Sequence, residues 1–170
     1  MDVFRAIKNR RSVRNYKQDP VPEEKLNKIL EAARLAPSAH NAQEWKFVVV
    51  RDSKKREELA QAAGQDFIAR APVIIALVSL DPDHVMSGGT PAYAVDLGIA
   101  GEHIALQAVE EGLGTCWIGA FSQEDVKEIL NIPVHCKVVA LLPLGYPADQ
   151  PRPKLRKDFK EVVSFEKFEN

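Results

Sequence analysis

The segment 92–111 constrains the fold of this 170-residue chain more than any other part of the sequence. It is apolar or small around almost its whole circumference, with Val, Leu and Ile side chains set between Ala and Gly. A helix of this composition has no broad polar face, so it is buried on most sides. Its small residues also allow the backbone of another helix to come close. The rest of the chain therefore has to pack around this segment.

The remaining elements are predicted from apolar spacing, capping residues and prolines. No repeat or Gly/Ser linker divides the chain, which indicates a single domain over residues 1–170. After Gly145 the prolines 147, 151 and 153 exclude one long helix, so this tail has to lie on something to be ordered, and a neighbouring subunit is a natural candidate. Helices are predicted at 2–9, from Pro22 until Pro37, at 54–63 with a stop at Gly64, and after the Ser122-x-x-Asp125 cap; strands are predicted at 45–50, 73–80, 115–118 and 137–144.

Charge and composition exclude several classes of protein. The formal net charge is −1, which argues against a strongly basic nucleic-acid binder. The two cysteines and four histidines have no metal-ligand spacing, so no metal site is expected. The longest apolar run, 71–80, is too short to span a bilayer, and the N-terminus lacks a signal peptide, so a cytoplasmic protein is expected and no membrane contact.

Two basic clusters nevertheless stand near the ends of the chain. Residues 1–17 hold six Lys or Arg side chains against one Asp, and residues 152–160 hold five against one Asp. Two separated cationic clusters on an otherwise acidic chain favour a local anion over a long polyanion.

Three polar segments carry the candidate chemistry. In Arg10-Arg11-Ser12-Val13-Arg14, an extended backbone puts Arg10, Ser12 and Arg14 on one side, where they can clamp a phosphate. A solvated basic turn is the alternative. The loop 36–45 (A-P-S-A-H-N-A-Q-E-W) offers hydrogen-bonding side chains that also simply make turns, and the glycines of 112–119 (G-L-G-T-C-W-I-G) permit close approach of a flat ligand or form an ordinary turn.

Taken in this order, R-R-S-x-R, A-P-S-x-x-N-x-Q-x-W, G-L-G-T-C-W-I-G and the basic K-x-R tail resemble the nitroreductase-like FMN-dependent flavoproteins, over nearly the whole chain. The resemblance implies an α+β fold with a mixed central sheet flanked by helices, a long central helix and an extended C-terminal tail. It also implies a homodimer with FMN at the interface, NAD(P)H as electron donor and a small electron acceptor such as a nitroaromatic or a quinone.

The resemblance further implies which residues contact the FMN. No acidic or basic catalytic side chain is expected, because the flavin carries the chemistry, although Arg14 and Gly119 would tune it, Arg14 at N1/O2 and a peptide N–H at N5. The implied contacts are Arg10, Arg11, Ser12 and Arg14 at the phosphate, ribityl and ring end; Ser38, His40, Asn41 and Gln43 from the other subunit; the backbone of Trp117, Ile118 and Gly119; and Lys154 and Arg156 around the phosphate.

Two departures from the family pattern leave the acceptor open. Glu44 stands where a proline commonly precedes the tryptophan, and the loop 81–91 is short where many relatives insert a lid. The alternatives are a non-enzymatic FMN carrier or flavin-regulated protein, and a reductive dehalogenase-like enzyme. The short loop argues against the dehalogenase, because that branch clamps its substrate with a lid.

Overall fold

A four-stranded sheet organises the chain, with strand order β1-β2-β4-β3. The computed structural model describes residues 2–149 and 155–168. The strands are β1 (Trp45–Val50), β2 (Val73–Ser79), β3 (Gly114–Thr115) and β4 (Lys137–Gly145), and the helices are α1 (Val3–Asn9), α2 (Glu23–Arg34), α3 (Ser53–Ala62), α4 (Phe67–Arg70), α5 (Ala92–Glu110), α6 (Gln123–Leu130) and α7 (Phe159–Val162).

The sheet is covered on both faces because its central strand is buried along its whole length. Ile74, Ala76 and Val78 of β2 pack towards α3, α4 and α6. The alternate residues, among them Ile75 and Leu77, pack towards α2 and α5. Side chains alternate between the two faces of a strand, so one apolar run supplies both cores.

The predicted α+β class is confirmed, with two differences in detail. All three strand pairings are antiparallel, and the parallel component of the described residues is the single bridge between Ser12 and Thr115. The predicted strand at 115–118 is shorter than expected, because the chain leaves β3 after Thr115 and Ile118 bridges Leu141 instead.

Helix ends follow their capping residues. The Ser122 hydroxyl accepts a hydrogen bond from the Asp125 amide at 3.2 Å, as the spacing predicts. Pro22 is the residue before α2 rather than its first residue, a difference of one position. The single-turn helix α4 was not predicted, because four residues show no periodicity.

The C-terminal segment stands apart from this core. Leu155 is 99% exposed and Phe168 is 87% exposed, and Phe159, Val162 and Phe165 are exposed as well. Among residues 2–149 and 155–168, no helix is long and apolar enough to cross a membrane.

Candidate functional site

The basic segment 10–14 lies against the short strand β3. Its backbone pairs with that strand through Ser12 and Thr115, and the Val13 amide donates to the Thr115 carbonyl at 2.9 Å. Val13 is buried, Ser12 is half-buried and Arg14 is exposed. This is the alternation that the sequence predicts, with Ser12 and Arg14 on the side away from the core.

Tyr16 anchors the same segment to the centre of the sheet. Its buried phenol donates to the Val13 carbonyl at 2.7 Å and lies 3.2 Å from the Pro143 carbonyl in β4. Burial raises the pKa of the Tyr16 phenol far above its usual range, with a smaller contribution from Cys116 and partial opposition from Arg14. The phenol therefore stays protonated and remains a donor.

Arg11 has a local role in the structure. Its guanidinium donates to the Arg10 carbonyl at 2.9 Å and also reaches the Lys8 carbonyl. These contacts satisfy backbone acceptors at the C-terminal end of α1, where helical carbonyls lack intrahelical partners. Arg11 thus fixes the exit of α1 immediately before Ser12.

The segment after β3 presents backbone at an open position. Ile118 exchanges both backbone hydrogen bonds with Leu141 at 3.0 Å, which holds residues 117–119 beside β4. Gly119 is exposed, and a Cβ built on it meets no atom within 4 Å. Flat ligands can approach such backbone closely.

Glu102 of α5 links the two segments. One carboxylate oxygen lies 3.2 Å from Nε of Arg10, and the other accepts from the indole Nε1 of Trp117 at 3.4 Å. The structure therefore brings Arg10 and residues 117–119 together beside α5, with Ser12 bridged to Thr115.

The loop 38–43 contacts α5 at a different position from Arg10 and Trp117. It is attached to α5 through the Ala39 amide, which donates to the Asp96 carboxylate at 3.0 Å. Asp96 precedes Glu102 by six residues, which corresponds to about 9 Å along a helix. No hydrogen bond or ion pair among the described residues joins this loop to Arg10 or Arg14.

Strained backbone shapes the loop 38–43. His40, Asn41 and Gln43 have φ values of 53°, 55° and 57°, which non-glycine residues rarely adopt. The Ser38 hydroxyl accepts from the Gln43 amide at 3.0 Å, and the Gln43 side chain donates to the Asn41 carbonyl at 3.1 Å. The exposed His40 ring stacks on His84 with 6.0 Å between ring centroids. Internal bonds thus hold a conformation that presents exposed polar side chains.

Of the two predicted C-terminal contacts, Arg156 has no hydrogen bond or ion pair to the site among the described residues. Lys154 lies outside the described residues. Arg156 is exposed, and its guanidinium donates to the neighbouring Leu155 carbonyl at 3.2 Å.

A cavity of about 420 Å³ lies between α1, α2 and α5, away from these residues. Its lining includes Asp2, Val3, His103 and Gln107, and none of the predicted site residues.

Sequence reasoning did not identify Asp96, Glu102 or Tyr16. The available signal was that Asp96 and Glu102 are acidic residues inside an otherwise apolar helix. A charge on such a helix usually has a partner, because unpaired charges are costly to bury.

Comparison with known proteins shows the family of the chain. The family model described as "Nitroreductase family" matches residues 7–67 and 60–146. An NADH dehydrogenase of Thermus thermophilus is 34% identical over 195 residues, covering 96% of this chain and 95% of the relative.

Two solved structures are similar over almost the whole chain. An FMN-dependent nitroreductase from Clostridium difficile has a TM-score of 0.84 at 32% identity, covering 96% of this chain and 98% of that one. The NADPH:FMN oxidoreductase from Vibrio harveyi, complexed with NAD⁺, has a TM-score of 0.89 at 30% identity, covering 99% of this chain and 78% of that one.

The fold and the site define an α+β protein whose cationic N-terminal segment pairs with a sheet edge beside a long buried helix. This chain belongs to the nitroreductase family.

Proposed function

We propose that this protein is an FMN-dependent oxidoreductase that takes electrons from NAD(P)H and passes them to small flat acceptors such as nitroaromatics or quinones. The observation that carries the proposal is the junction of segment 10–14 with residues 115–119, through the Ser12–Thr115 bridge and the shared contact of Arg10 and Trp117 with Glu102. The names of the two solved relatives, an FMN-dependent nitroreductase and an NADPH:FMN oxidoreductase, support it.

The residues present fit FMN. Its phosphate carries nearly two negative charges and calls for guanidinium donors, one of which Arg10 supplies. Its flat ring calls for backbone that can be approached closely, and the space over Gly119 is open.

The protein's part in the reaction is to bind and to orient. The redox chemistry itself, hydride transfer from NAD(P)H and release of electrons to an acceptor, is supplied by the FMN. Arg10 and Ser12 would hold the phosphate and ribityl end, and Arg14 would supply positive charge at the ring. The Gly119 amide would donate to the edge of the ring, since the Ile118 amide already donates to the Leu141 carbonyl. No side chain has to act as an acid or base.

A homodimer completes the site in this proposal. Apolar side chains of the tail, including Leu155, Phe159 and Phe165, are exposed on the single chain, and so are Val3 and Phe4 of α1. Exposed apolar surface on this scale marks an interaction surface. The partner then covers these residues and brings its own loop 38–43 and its own Arg156 to the FMN.

Turnover follows a ping-pong sequence in this proposal. One face of the flavin would lie against residues 117–119, so NAD(P)H and the acceptor would use the other face in turn. The loop 81–91 folds on itself, with the Met86 amide donating to the Thr90 carbonyl at 2.9 Å and a bridge between Val85 and Pro91. Such a compact loop offers few side chains for selecting among acceptors, so the range of acceptors is expected to be broad.

The binding test is a titration of the flavin-free protein with FMN, followed by quenching of the flavin fluorescence. Arg10→Ala is expected to weaken binding at least about tenfold, because a hydrogen bond to a charged group contributes about 1.5–3 kcal/mol. Arg51→Ala, which removes an arginine paired with Glu23 far from the site, is the matched control. Equal affinities in the two variants would exclude the phosphate clamp.

Steady-state kinetics test the rest of the proposal. Rates of NAD(P)H oxidation at several fixed acceptor concentrations are expected to give parallel double-reciprocal lines. Intersecting lines would show a ternary complex and contradict the single shared place. Tight FMN binding without reduction by NADH or NADPH would favour the carrier alternative.

A further inference from the structure

We infer that Glu102 is a positioning residue of the ligand site, which fixes the Arg10 guanidinium and the Trp117 indole relative to one another. The inference rests on the proposed function, since it concerns how the same site is held for FMN. Its basis is the double contact of one carboxylate: Oε1 with Arg10 Nε at 3.2 Å and Oε2 with Trp117 Nε1 at 3.4 Å.

Arg10 is restrained by its contact with Glu102. Its side chain is only 17% exposed, so it is held near the surface of α5 instead of moving freely in solvent. The ion pair uses the Nε donor, which leaves the Nη donors to meet an anion. A guanidinium oriented in this way loses less conformational entropy when the anion binds than a free side chain does.

The Trp117 indole is held by α5 at both of its edges. Its ring crosses α5 directly over Gly101, where a built Cβ would lie 2.3 Å from Cη2 of the indole. Glu102 is the next residue along the helix and accepts from the indole nitrogen. Gly101 therefore admits the benzene edge of the ring while Glu102 holds its pyrrole edge, and the backbone of 117–119 is fixed with it.

Glu102 could affect FMN affinity by positioning its neighbours or by its charge alone, and the two effects differ in sign. A carboxylate near an anion site repels the anion, so removal of the charge alone would strengthen FMN binding. If Glu102 orients Arg10 and Trp117, its removal weakens binding instead. The two roles predict changes of opposite sign.

The experiment compares Glu102→Gln and Glu102→Ala with Glu110→Gln, which removes one carboxylate from the exposed end of the same helix. FMN affinity of the flavin-free protein is measured together with the two tryptophan indole N–H resonances, with Trp117 assigned by Trp117→Phe. We expect Glu102→Ala to lower FMN affinity about tenfold, the loss typical of one charge-assisted contact, and Glu102→Gln to lower it less, because the amide keeps one acceptor.

The indole resonances provide a readout that does not depend on FMN. In both Glu102 variants the Trp117 N–H resonance is expected to shift while that of Trp45 stays in place, and Glu110→Gln moves neither. An increase in FMN affinity, or an unchanged Trp117 resonance, would overturn the inference. Absence of FMN binding by the wild-type protein would instead refute the proposed function, and a shifted Trp117 resonance would then still report the Glu102 contact.

Discussion

Replacing Gly101 with alanine tests the packing of Trp117 against α5. A Cβ at this position would lie 2.3 Å and 2.6 Å from two carbons of the indole and 2.8 Å from Cδ1 of Leu77. Carbon atoms in contact prefer separations of about 3.5–4.0 Å, so the ring has to move by about 1 Å. Leu77 is fully buried and cannot give way easily.

Two effects of opposite sign decide the result. Alanine stabilises a helix interior by about 1 kcal/mol relative to glycine. Overpacking a core costs about 1–3 kcal/mol, and contacts this short belong in the upper part of that range. We therefore expect Gly101→Ala to lower the free energy of unfolding by about 1–2 kcal/mol.

Gly98→Ala is the matched control on the same helix, because a Cβ there meets no atom within 4 Å. It is expected to raise the free energy of unfolding by up to about 1 kcal/mol. Urea unfolding of the flavin-free proteins at one protein concentration gives both values. If the two variants were equally stable, the close packing of Trp117 on Gly101 would be wrong. FMN affinity should fall only in Gly101→Ala, because only that variant displaces Trp117.

Three further predictions concern hydrogen bonds. Tyr16→Phe should destabilise the protein by about 1–2 kcal/mol, because the buried Val13 carbonyl loses its phenol donor. The control is Tyr93→Phe, since the Tyr93 hydroxyl has no hydrogen bond among the described residues. Thermal unfolding should show little change in this control. Burial raises the pKa of the Tyr16 phenol, so as pH rises the unfolded chain loses this proton before the folded protein does. The free energy of unfolding of the wild type should therefore fall as pH rises above about 10. Urea midpoints measured across that range should fall less steeply for Tyr16→Phe than for the wild type. Ser122→Ala should cost about 0.5–2 kcal/mol and Ser122→Asp should restore it, since an aspartate also accepts from the Asp125 amide; equal stability of all three proteins would contradict the cap.

Elements with a strong local signal were predictable from the sequence. β1 occupies the predicted residues 45–50, and the Ser122 cap begins α6 where the spacing places it. These features depend on alternation and capping, which are local properties of the chain.

Features that depend on tertiary contact were not predictable. The small residues of 92–111 indicate close approach of another helix, and α5 packs on α2. Nothing in the sequence indicates that Gly101 also admits the indole of Trp117. The partners of Glu102 lie far from it in sequence, and no spacing rule connects them.

The bridge between Ser12 and Thr115 has a consequence for folding. It joins the first third of the chain to the last, so it forms only after the intervening chain has closed a long loop. Contacts of such high sequence separation tend to slow folding. The halves of the ligand site therefore meet late, and a fragment ending before β3 has no site. A ligand that binds only the joined halves stabilises the native state by an amount that rises with the logarithm of its free concentration above Kd, so the supply of cofactor would govern how much of this protein survives in a cell.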